Sequence, residues 1–367
     1  MTRLSRIEVE GFKSLRNVDL ELRPLNVLIG ANGAGKSNLV SLFKMLNFMS
    51  TLALQDFIGR EGNADSLLHY GARRTPQLLV TLHFETGTGL SRYHMRLVHA
   101  APDTLIFADE RTVFHRVGYR RVQETILGAG HRESLLSERA RQDDRTARVF
   151  LRLLRGCQVF QFHDTSPTSH IRGKGYIEDN KFLRHDAGNL AAFLYRLLQT
   201  HPDHYKRIVA TIQQIAPFIL DFDLAPSPLN PNYILLNWRD RDSDFLFGPH
   251  QLSDGALRTM ALITLLLQPE DELPDVIIID EPELGLHPSA IQLVASLMRS
   301  VSTRRQIIVA TQSVPLVDQF EPEDLVVVER AEGASSFVRL RLGALREWLE
   351  EYSPGELWQK NVIGGKP

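Results

Sequence analysis

The sequence predicts an α/β fold that combines a parallel core sheet, an antiparallel β subdomain and an inserted helical subdomain. Three short apolar runs are typical of buried parallel strands, namely Asn26–Ile29, Val276–Ile279 and Ile307–Ala310. Alternating and β-branched residues over 78–117 indicate antiparallel strands. Because strand–helix–strand alternation occurs at both ends of the chain, we expect one sheet that both ends complete.

The remaining elements follow from hydrophobic periodicity. Early strands are expected at 7–9 and 18–22, and a helix at 38–46. A polar-faced helix is expected over 131–155, amphipathic helices over 189–216, a proline-rich loop at 226–231 and a further helix at 289–300. The expected domains are a core of 1–75 and 245–367, an antiparallel subdomain of 76–125 and a helical insert of 126–244.

Composition excludes several classes of protein. The chain has 367 residues with 42 Lys and Arg against 44 Asp and Glu, so it is neither a uniformly basic coat protein nor an acidic tail, although a local basic patch is allowed. The single cysteine, Cys157, excludes a disulfide framework and fits a reducing compartment. No secretory signal and no long apolar stretch is found, so we expect a cytoplasmic location without a membrane partner.

A phosphate-binding motif occupies residues 30–37. The run Gly30-Ala31-Asn32-Gly33-Ala34-Gly35-Lys36-Ser37 matches GxxxxGK[ST] without a gap, between an apolar strand and a helical pattern. A plain glycine-rich turn is the alternative. The motif predicts ATP and Mg²⁺ as cofactors, with Lys36 on the β- and γ-phosphates and Ser37 on the metal. The expected nucleotide contacts from this stretch are Asn32, Gly33, Ala34, Gly35, Lys36, Ser37 and Asn38.

Two carboxylates end the second apolar run. Asp280 follows Val276–Ile279 directly, and Glu281 follows Asp280. Asp280 is expected in the Mg²⁺ shell, and Glu281 is expected to act as general base on the attacking water. A solvated acidic turn is the alternative reading.

The stretch Leu252-Ser253-Asp254-Gly255-Ala256 opens another helical pattern before the acidic strand. It resembles the LSGGQ signature of the ABC ATPases, and the opening Ile7–Leu15 resembles the first strand and turn of the RecF and SMC-like branch. The resemblance implies an ABC-type ATPase head that forms a homodimer around two ATP molecules, with a higher oligomer as the alternative. Ser253 and Gly255 of one protomer would contact the γ-phosphate held by the other. A simple helix cap at Ser253 is compatible with that role.

Two departures from the ABC pattern matter for hydrolysis. His287 stands where most heads have Asp in the D-loop, and Gln312 stands where they have the switch His. Gln312 can still hydrogen-bond a γ-phosphate or the lytic water, but it carries no charge, so hydrolysis is expected to be slow. Both departures look similar to those of OLD-like and predicted AAA-domain ATPases. The Q-loop is open: Gln161 or His163 would reach the metal shell, or the stretch is a polar strand end.

The middle of the chain lacks the heptads of an SMC coiled coil, and too few residues follow Ser313 for an OLD-type nuclease domain. Residues 240–244 alternate carboxylates, which fits a hairpin turn more often than a metal site. The histidines show no zinc spacing. Residues 111–155 hold eleven arginines and five acids, so they form either a DNA-contacting surface or a solvated face with internal ion pairs.

These features favour an ATP-dependent dimer in DNA maintenance or anti-phage defence. The alternative is an ATP-sensing scaffold that holds a protein effector or toxin and turns over slowly. A transporter subunit fits less well, because of the Phe12-Lys13-Ser14-Leu15 opening, the long insert and the lack of an early aromatic residue suited to stack on adenine.

Overall fold

The computed structural model describes residues 2–341, 343 and 345–366. The chain divides into two compact units. The first unit contains the residues up to Val159, the stretch 274–280 and the residues from Ser302 onward. The second unit contains 160–273 and 281–301.

The first unit contains a six-stranded antiparallel sheet, with strand order β2-β1-β4-β5-β6-β7. Its register pairs Ile7 with Leu82, Val80 with Met95 and Tyr93 with Thr112. The apolar side chains on one face are buried, which explains the alternating sequence pattern. The strands are β1 (Arg3–Phe12), β2 (Leu15–Glu21), β4 (Gln77–Thr86), β5 (Gly89–Ala100), β6 (Thr104–Arg116) and β7 (Val122–Gly128).

The second sheet of this unit is the core sheet, with order β17-β16-β3-β15-β14-β8. Strand β3 runs parallel to β15 and β16, and β14 runs parallel to β15. The predicted fold class is therefore confirmed, and both ends of the chain complete this sheet. The strands are β3 (Leu25–Ile29), β8 (Cys157–Phe160), β14 (Val276–Asp280), β15 (Gln306–Thr311), β16 (Leu325–Ala331) and β17 (Ala334–Arg339).

The predicted domain division stays a prediction. It placed β1 and β2 in the core, whereas in the structure they pair with each other and β1 pairs with β4 in the antiparallel sheet. The helices of the first unit are α1 (Lys36–Ser50), α2 (Leu54–Arg60), α3 (Asn63–Leu67), α4 (Leu136–Arg141), α5 (Arg145–Arg155), α10 (Val314–Val317) and α11 (Pro354–Gln359). Helices α1 to α5 bury apolar side chains in one core with side chains of both sheets.

A single helix over 131–155 is the wrong expectation. The structure has two helices there, separated at Asp143, whose φ is 70°. The side chain of Asp144 accepts bonds from the backbone N–H groups of Thr146 and Ala147, so it caps the second helix. An N-cap starts a helix rather than continuing one, which explains the break.

The second unit is mainly helical. Residues 240–244 link two antiparallel strands, which confirms the hairpin. Among the described residues, no helix is long and apolar enough to cross a membrane. The helices are α6 (Leu190–Thr200), α7 (Pro202–Ile215), α8 (Asp254–Leu267) and α9 (Pro288–Ser302); the short strands are β9 (Gly175–Tyr176), β10 (Ile219–Asp223), β11 (Tyr233–Ile234), β12 (Asn237–Asp240) and β13 (Leu246–Phe247).

Candidate functional site

Strand register aligns three predicted site positions along one edge of the core sheet. Ile29 pairs with Thr311, and Ala310 pairs with Asp280. These strands are parallel, so their carboxyl ends meet at one edge, where open α/β sheets bind ligands. Gly30, Gln312 and Asp280 therefore leave the sheet together.

The phosphate loop connects β3 to α1, which begins at Lys36. Lys36 is only 5% exposed, and its Nζ donates to the carbonyl oxygens of Gly30 and, at 3.1 Å, Ala31. The loop's tip, Asn32 and Gly33, is exposed, as is Ser37 at the start of the helix. The loop thus surrounds the Lys36 ammonium group and leads into a helix N-terminus. Backbone N–H groups and a positive charge in this arrangement are suited to bind phosphate.

Three polar side chains fasten this loop from outside the motif. Asn38 Nδ2 donates to Ser14 Oγ at 2.6 Å, and Ser14 Oγ lies 2.6 Å from Ser335 Oγ. The hydroxyl of Ser335 donates to the carbonyl oxygen of Ala34. We call Ser14, Asn38 and Ser335 the serine bracket. Ser14 lies in the opening that carries the family resemblance, so the bracket gives that turn a physical role that the sequence did not reveal.

A cavity of about 320 Å³ opens beside the first turn of α1. Its lining includes Asn38, His69 and Tyr70. Tyr70 is 55% exposed and has a φ of 58°, a left-handed conformation that is rare for a bulky residue and common at ligand sites. The Arg74 guanidinium lies 4.7 Å from its ring centroid. The sequence analysis missed this aromatic residue because it lies outside every motif.

The acidic strand end is mostly buried. Asp280 is 6% exposed. Burial lowers the pKa of the Lys44 ammonium group, and the negative charge of Asp280 partly opposes this shift. Glu281 is half-buried and has a φ of 46°. A left-handed non-glycine residue directly after a buried strand is backbone strain of the kind that clusters at active sites.

The signature stretch begins α8 in the second unit. Ser253 Oγ accepts a bond from Ala256 N at 3.2 Å and so caps the helix while remaining exposed. Gly255 lies against the turn after β14: a Cβ placed on it would stand 2.3 Å from the carbonyl oxygen of Gly285. The glycine is therefore required by this close approach, whatever else it contacts.

Arg172 holds the signature loop in place. Its side chain is buried, and its guanidinium donates to the carbonyl oxygens of Thr165 at 2.7 Å, Leu252 at 3.0 Å and Pro249. It also pairs with Asp254 at 2.7 Å. That bond lowers the pKa of the Asp254 carboxyl. Asp254 stands where the LSGGQ signature has its first glycine. The ion pair with Arg172 is a structural reason for an aspartate at this position.

Arg258, one turn into α8, makes a second set of bonds. Its guanidinium donates to the carbonyl oxygens of Phe162 at 3.1 Å, His163 at 2.8 Å and Leu284 at 3.1 Å. One side chain thus joins the signature helix to the candidate Q-loop and to the candidate D-loop. Neither arginine belongs to a motif, so sequence reasoning had no signal for their roles.

Three further predicted site residues lie next to the ends of strands and helices. Gln161 follows β8 directly and is half-buried, and its backbone N donates to the carbonyl oxygen of His185 at 2.8 Å. His287 is exposed before α9, with Nδ1 2.9 Å from Ser289 Oγ. Gln312 is half-buried directly after β15. Their roles stay predictions.

The donor set at the sheet edge suits Mg²⁺. Ser37 offers a hydroxyl and Asp280 a carboxylate, the hard oxygen ligands that this ion prefers. Among the described residues, no group of three or more His, Cys, Asp or Glu side chains forms a metal cage. Nucleotide-bound Mg²⁺ uses one or two protein ligands together with phosphate oxygens, so a smaller donor set fits it.

The model of the family described as "AAA domain, putative AbiEii toxin, Type IV TA system" matches residues 25–318. The chain belongs to this family. The match spans the core-sheet strands β3, β8, β14 and β15 and the whole insert. A search of curated proteins finds no match to this AAA-domain chain.

Solved structures give the fold. An SMC head bound to the C-winged helix domain of ScpA is similar, with a TM-score of 0.60 at 16% identity, over 94% of this chain and 99% of that one. The SMC head with an extended coiled coil from Pyrococcus furiosus, bound to the C-terminal domain of ScpA, has a TM-score of 0.60 at 14% identity, over 96% and 99%. The head from Thermotoga maritima has a TM-score of 0.50 at 14% identity, over 92% and 99%. This AAA domain therefore has the fold of an SMC-type ABC ATPase head, which confirms the resemblance to the RecF and SMC-like branch.

Proposed function

We propose that the chain binds Mg²⁺-ATP at the phosphate loop, hydrolyses it and closes into a homodimer around ATP, in DNA maintenance or anti-phage defence. The observation that carries the proposal is the register of β3, β15 and β14, which brings Gly30, Gln312 and Asp280 to one edge. Family membership supports a nucleotide-binding role.

Each residue of the edge has a distinct task. Lys36 holds the β- and γ-phosphates, while Ser37 and Asp280 bind Mg²⁺, which neutralises phosphate charge when bound. A carboxylate oxygen of Glu281 accepts the proton of the attacking water. Gln312 orients that water or the γ-phosphate by hydrogen bonding. We keep Gln161 as a candidate metal-shell residue.

Closure of the dimer uses the exposed signature. Ser253 Oγ and the backbone N–H of Gly255 sit at the N-terminus of α8, where the helix dipole favours an anion. In the dimer they contact the γ-phosphate held by the partner protomer. His287, exposed in the candidate D-loop, lies at the same closure.

The test is a pair of variants measured with ATP. Glu281→Gln should lower hydrolysis by about 10²–10⁴, because the general base is neutralised while the metal ligand stays. It should accumulate an ATP-dependent dimer by light scattering, and addition of Ser253→Arg should remove that dimer. Glu10→Gln, an exposed charge on β1, is the matched control. Turnover equal to wild type in Glu281→Gln would assign the base to another residue.

The second candidate is an ATP-sensing scaffold that holds a protein effector or toxin. The neutral Gln312 and the family's description, which names a toxin and a type IV toxin–antitoxin system, favour it. It predicts that the wild-type dimer outlives many minutes of ATP incubation with little phosphate release. Rapid turnover with a short-lived dimer would contradict the scaffold and favour a working machine.

DNA contact through 111–155 is a further part of the proposal. Several of these arginines already have internal partners: Arg111 pairs with Asp109 and Glu124, Arg148 pairs with Asp143, and Arg139 donates to the carbonyl oxygen of Leu127. Arg145, Arg148 and Arg152 nevertheless share one exposed face of α5 by helical spacing.

Duplex binding tests that face. Arg145→Glu with Arg152→Glu should weaken binding and flatten its salt dependence, which has a slope of about −0.9 per duplex phosphate neutralised. Reversal of two exposed arginines elsewhere, Arg16→Glu with Arg207→Glu, carries the same charge change. Equal loss in both pairs, or no duplex binding by wild type, would leave α5 as a solvated face.

A further inference from the structure

The C-terminal segment folds back onto the core sheet of the first unit. Ser353 caps α11, and its hydroxyl and the side chain of Glu356 form a reciprocal capping box. Leu357 and Trp358 on this short helix are fully buried. We call residues 353–365 the C-terminal brace.

One end of the brace contacts the element that follows Gln312. The backbone N of Gly355 donates to Asp318 Oδ1 at 2.7 Å. Asp318 is the C-cap of α10, and α10 begins directly after Gln312 and Ser313, with the Ser313 hydroxyl as its N-cap. The first contact of the brace is therefore with the helix that leaves the nucleotide edge at the switch position.

The other end of the brace contacts the entrance of the phosphate loop. The backbone N of Gly365 donates to Glu329 Oε1 at 2.7 Å, and its carbonyl oxygen accepts from the indole N–H of Trp358. A Cβ on Gly365 would stand 2.7 Å from Val327 Cγ1 and 3.6 Å from the Cα of Gly30. Gly365 has a φ of 62°, so both its backbone conformation and its surroundings favour glycine.

Gly30 itself has no spare room. A Cβ placed there would lie 2.2 Å from the carbonyl oxygen of Val328 on β16. The first residue of the phosphate loop is thus enclosed by β16 on one side and by the brace on another. Close-packed interiors transmit small displacements, so a shift of the brace should reach the loop.

We propose that the C-terminal brace is a positioning element for the nucleotide site. It packs against Gly30 and holds the C-terminal end of α10 through Asp318, so that loss of the brace lowers ATP affinity. The effect on ATP rests on the proposed function above, whereas the effect on the loop itself does not. Displacement of the brace would then be a means of releasing nucleotide.

The main test is Gly365→Ala against Gly118→Ala. Both glycines have positive φ, but nothing lies within 4 Å of a Cβ on Gly118, so the control carries the backbone strain without the crowding. We expect Gly365→Ala to weaken ATP binding by about three- to tenfold, which is roughly the effect of losing one hydrogen bond to the phosphates. KM should rise while kcat changes little, and Gly118→Ala should match wild type.

A second pair keeps the test valid if Gly365→Ala does not fold. Glu329 is exposed, so both of its variants should fold. Glu329→Ala removes the acceptor of the Gly365 N–H and should weaken ATP binding, whereas Glu329→Gln keeps an acceptor oxygen and should restore it.

Hydrogen exchange of the amides of residues 30–37 in ATP-free protein supplies the independent measurement. Gly365→Ala and Glu329→Ala should speed this exchange relative to Gly118→Ala. Exchange and ATP affinity equal to those of Gly118→Ala would overturn the brace. If wild type binds no ATP, the proposed function fails, and the exchange data alone decide whether the brace positions the loop.

Discussion

The phosphate loop and the signature loop are both tight turns before a helix, but they are held in different ways. The phosphate loop is fixed by flanking strands, its own lysine and the hydroxyls of the serine bracket. The signature loop is fixed by Arg172, which comes from a segment 80 positions away from Leu252. The first arrangement has several supports, some within the motif and some outside it, whereas the second depends on one long side chain. Loss of single residues should therefore affect the two loops very differently.

Arg172→Ala should have the largest effect on stability. It removes the donor for the buried carbonyl groups of Thr165 and Leu252, and each unsatisfied buried acceptor costs about 1–3 kcal/mol. We expect a clear fall in the thermal midpoint and loss of the ATP-dependent dimer. Arg184→Ala, which breaks an exposed pair with Asp179, should change the midpoint little. Similar midpoints for both variants would show that Arg172 does not hold the loop.

Lys36→Ala should act on binding rather than on folding. It removes a charge-assisted contact to the phosphates worth about 1.5–3 kcal/mol, so ATP affinity by calorimetry should fall by about one to two orders of magnitude. Lys206→Ala, on the exposed face of α7, serves as control. Undiminished affinity in Lys36→Ala would remove the phosphate loop from the proposed function.

The serine bracket should contribute less. Ser14→Ala and Ser335→Ala each remove one hydroxyl group from the hydrogen bonds of the bracket. Each variant should lower the free energy of unfolding by about 1 kcal/mol. Because the two hydroxyls contact each other, their effects should not add in the double variant. Additive losses in a denaturant titration would mean that the bracket does not act as a unit.

Asp254→Asn should have the smallest effect, and it should depend on pH. The bond from Arg172 lowers the pKa of Asp254 below its usual value, so the ionised carboxylate contributes stability above the unfolded pKa. That contribution is lost as the pH falls through the folded pKa. The difference in thermal midpoint between wild type and variant should therefore be present at neutral pH and should close in acid. A difference that persists unchanged in acid would contradict this assignment.

The sequence predicts well those parts of the molecule whose functional residues are adjacent in sequence. The phosphate loop, the β14 carboxylates and the core strands are contiguous, so periodicity and motif spacing predict them. The break between α4 and α5 had a local signal, the capping residue Asp144, but the arginine-rich pattern masked it. Arg172, Arg258 and Tyr70 had none, because their partners are backbone carbonyls and a cavity that only the folded chain brings to them. The arginines of 111–155 were ambiguous for the same reason, since internal pairing depends on tertiary neighbours.

The central position of β3 has a consequence for how the chain is made. Leu25 pairs with Ile307, and Val27 pairs with Leu325. The strand that precedes the phosphate loop therefore cannot pair with its neighbours until the far end of the chain has been synthesised. During synthesis, the antiparallel sheet can form first, because β4, β5 and β6 are successive hairpins. The nucleotide edge then assembles after β15 and β16 leave the ribosome, since such long-range pairing is slow. A nascent chain would thus acquire its folded scaffold well before it could hold a nucleotide.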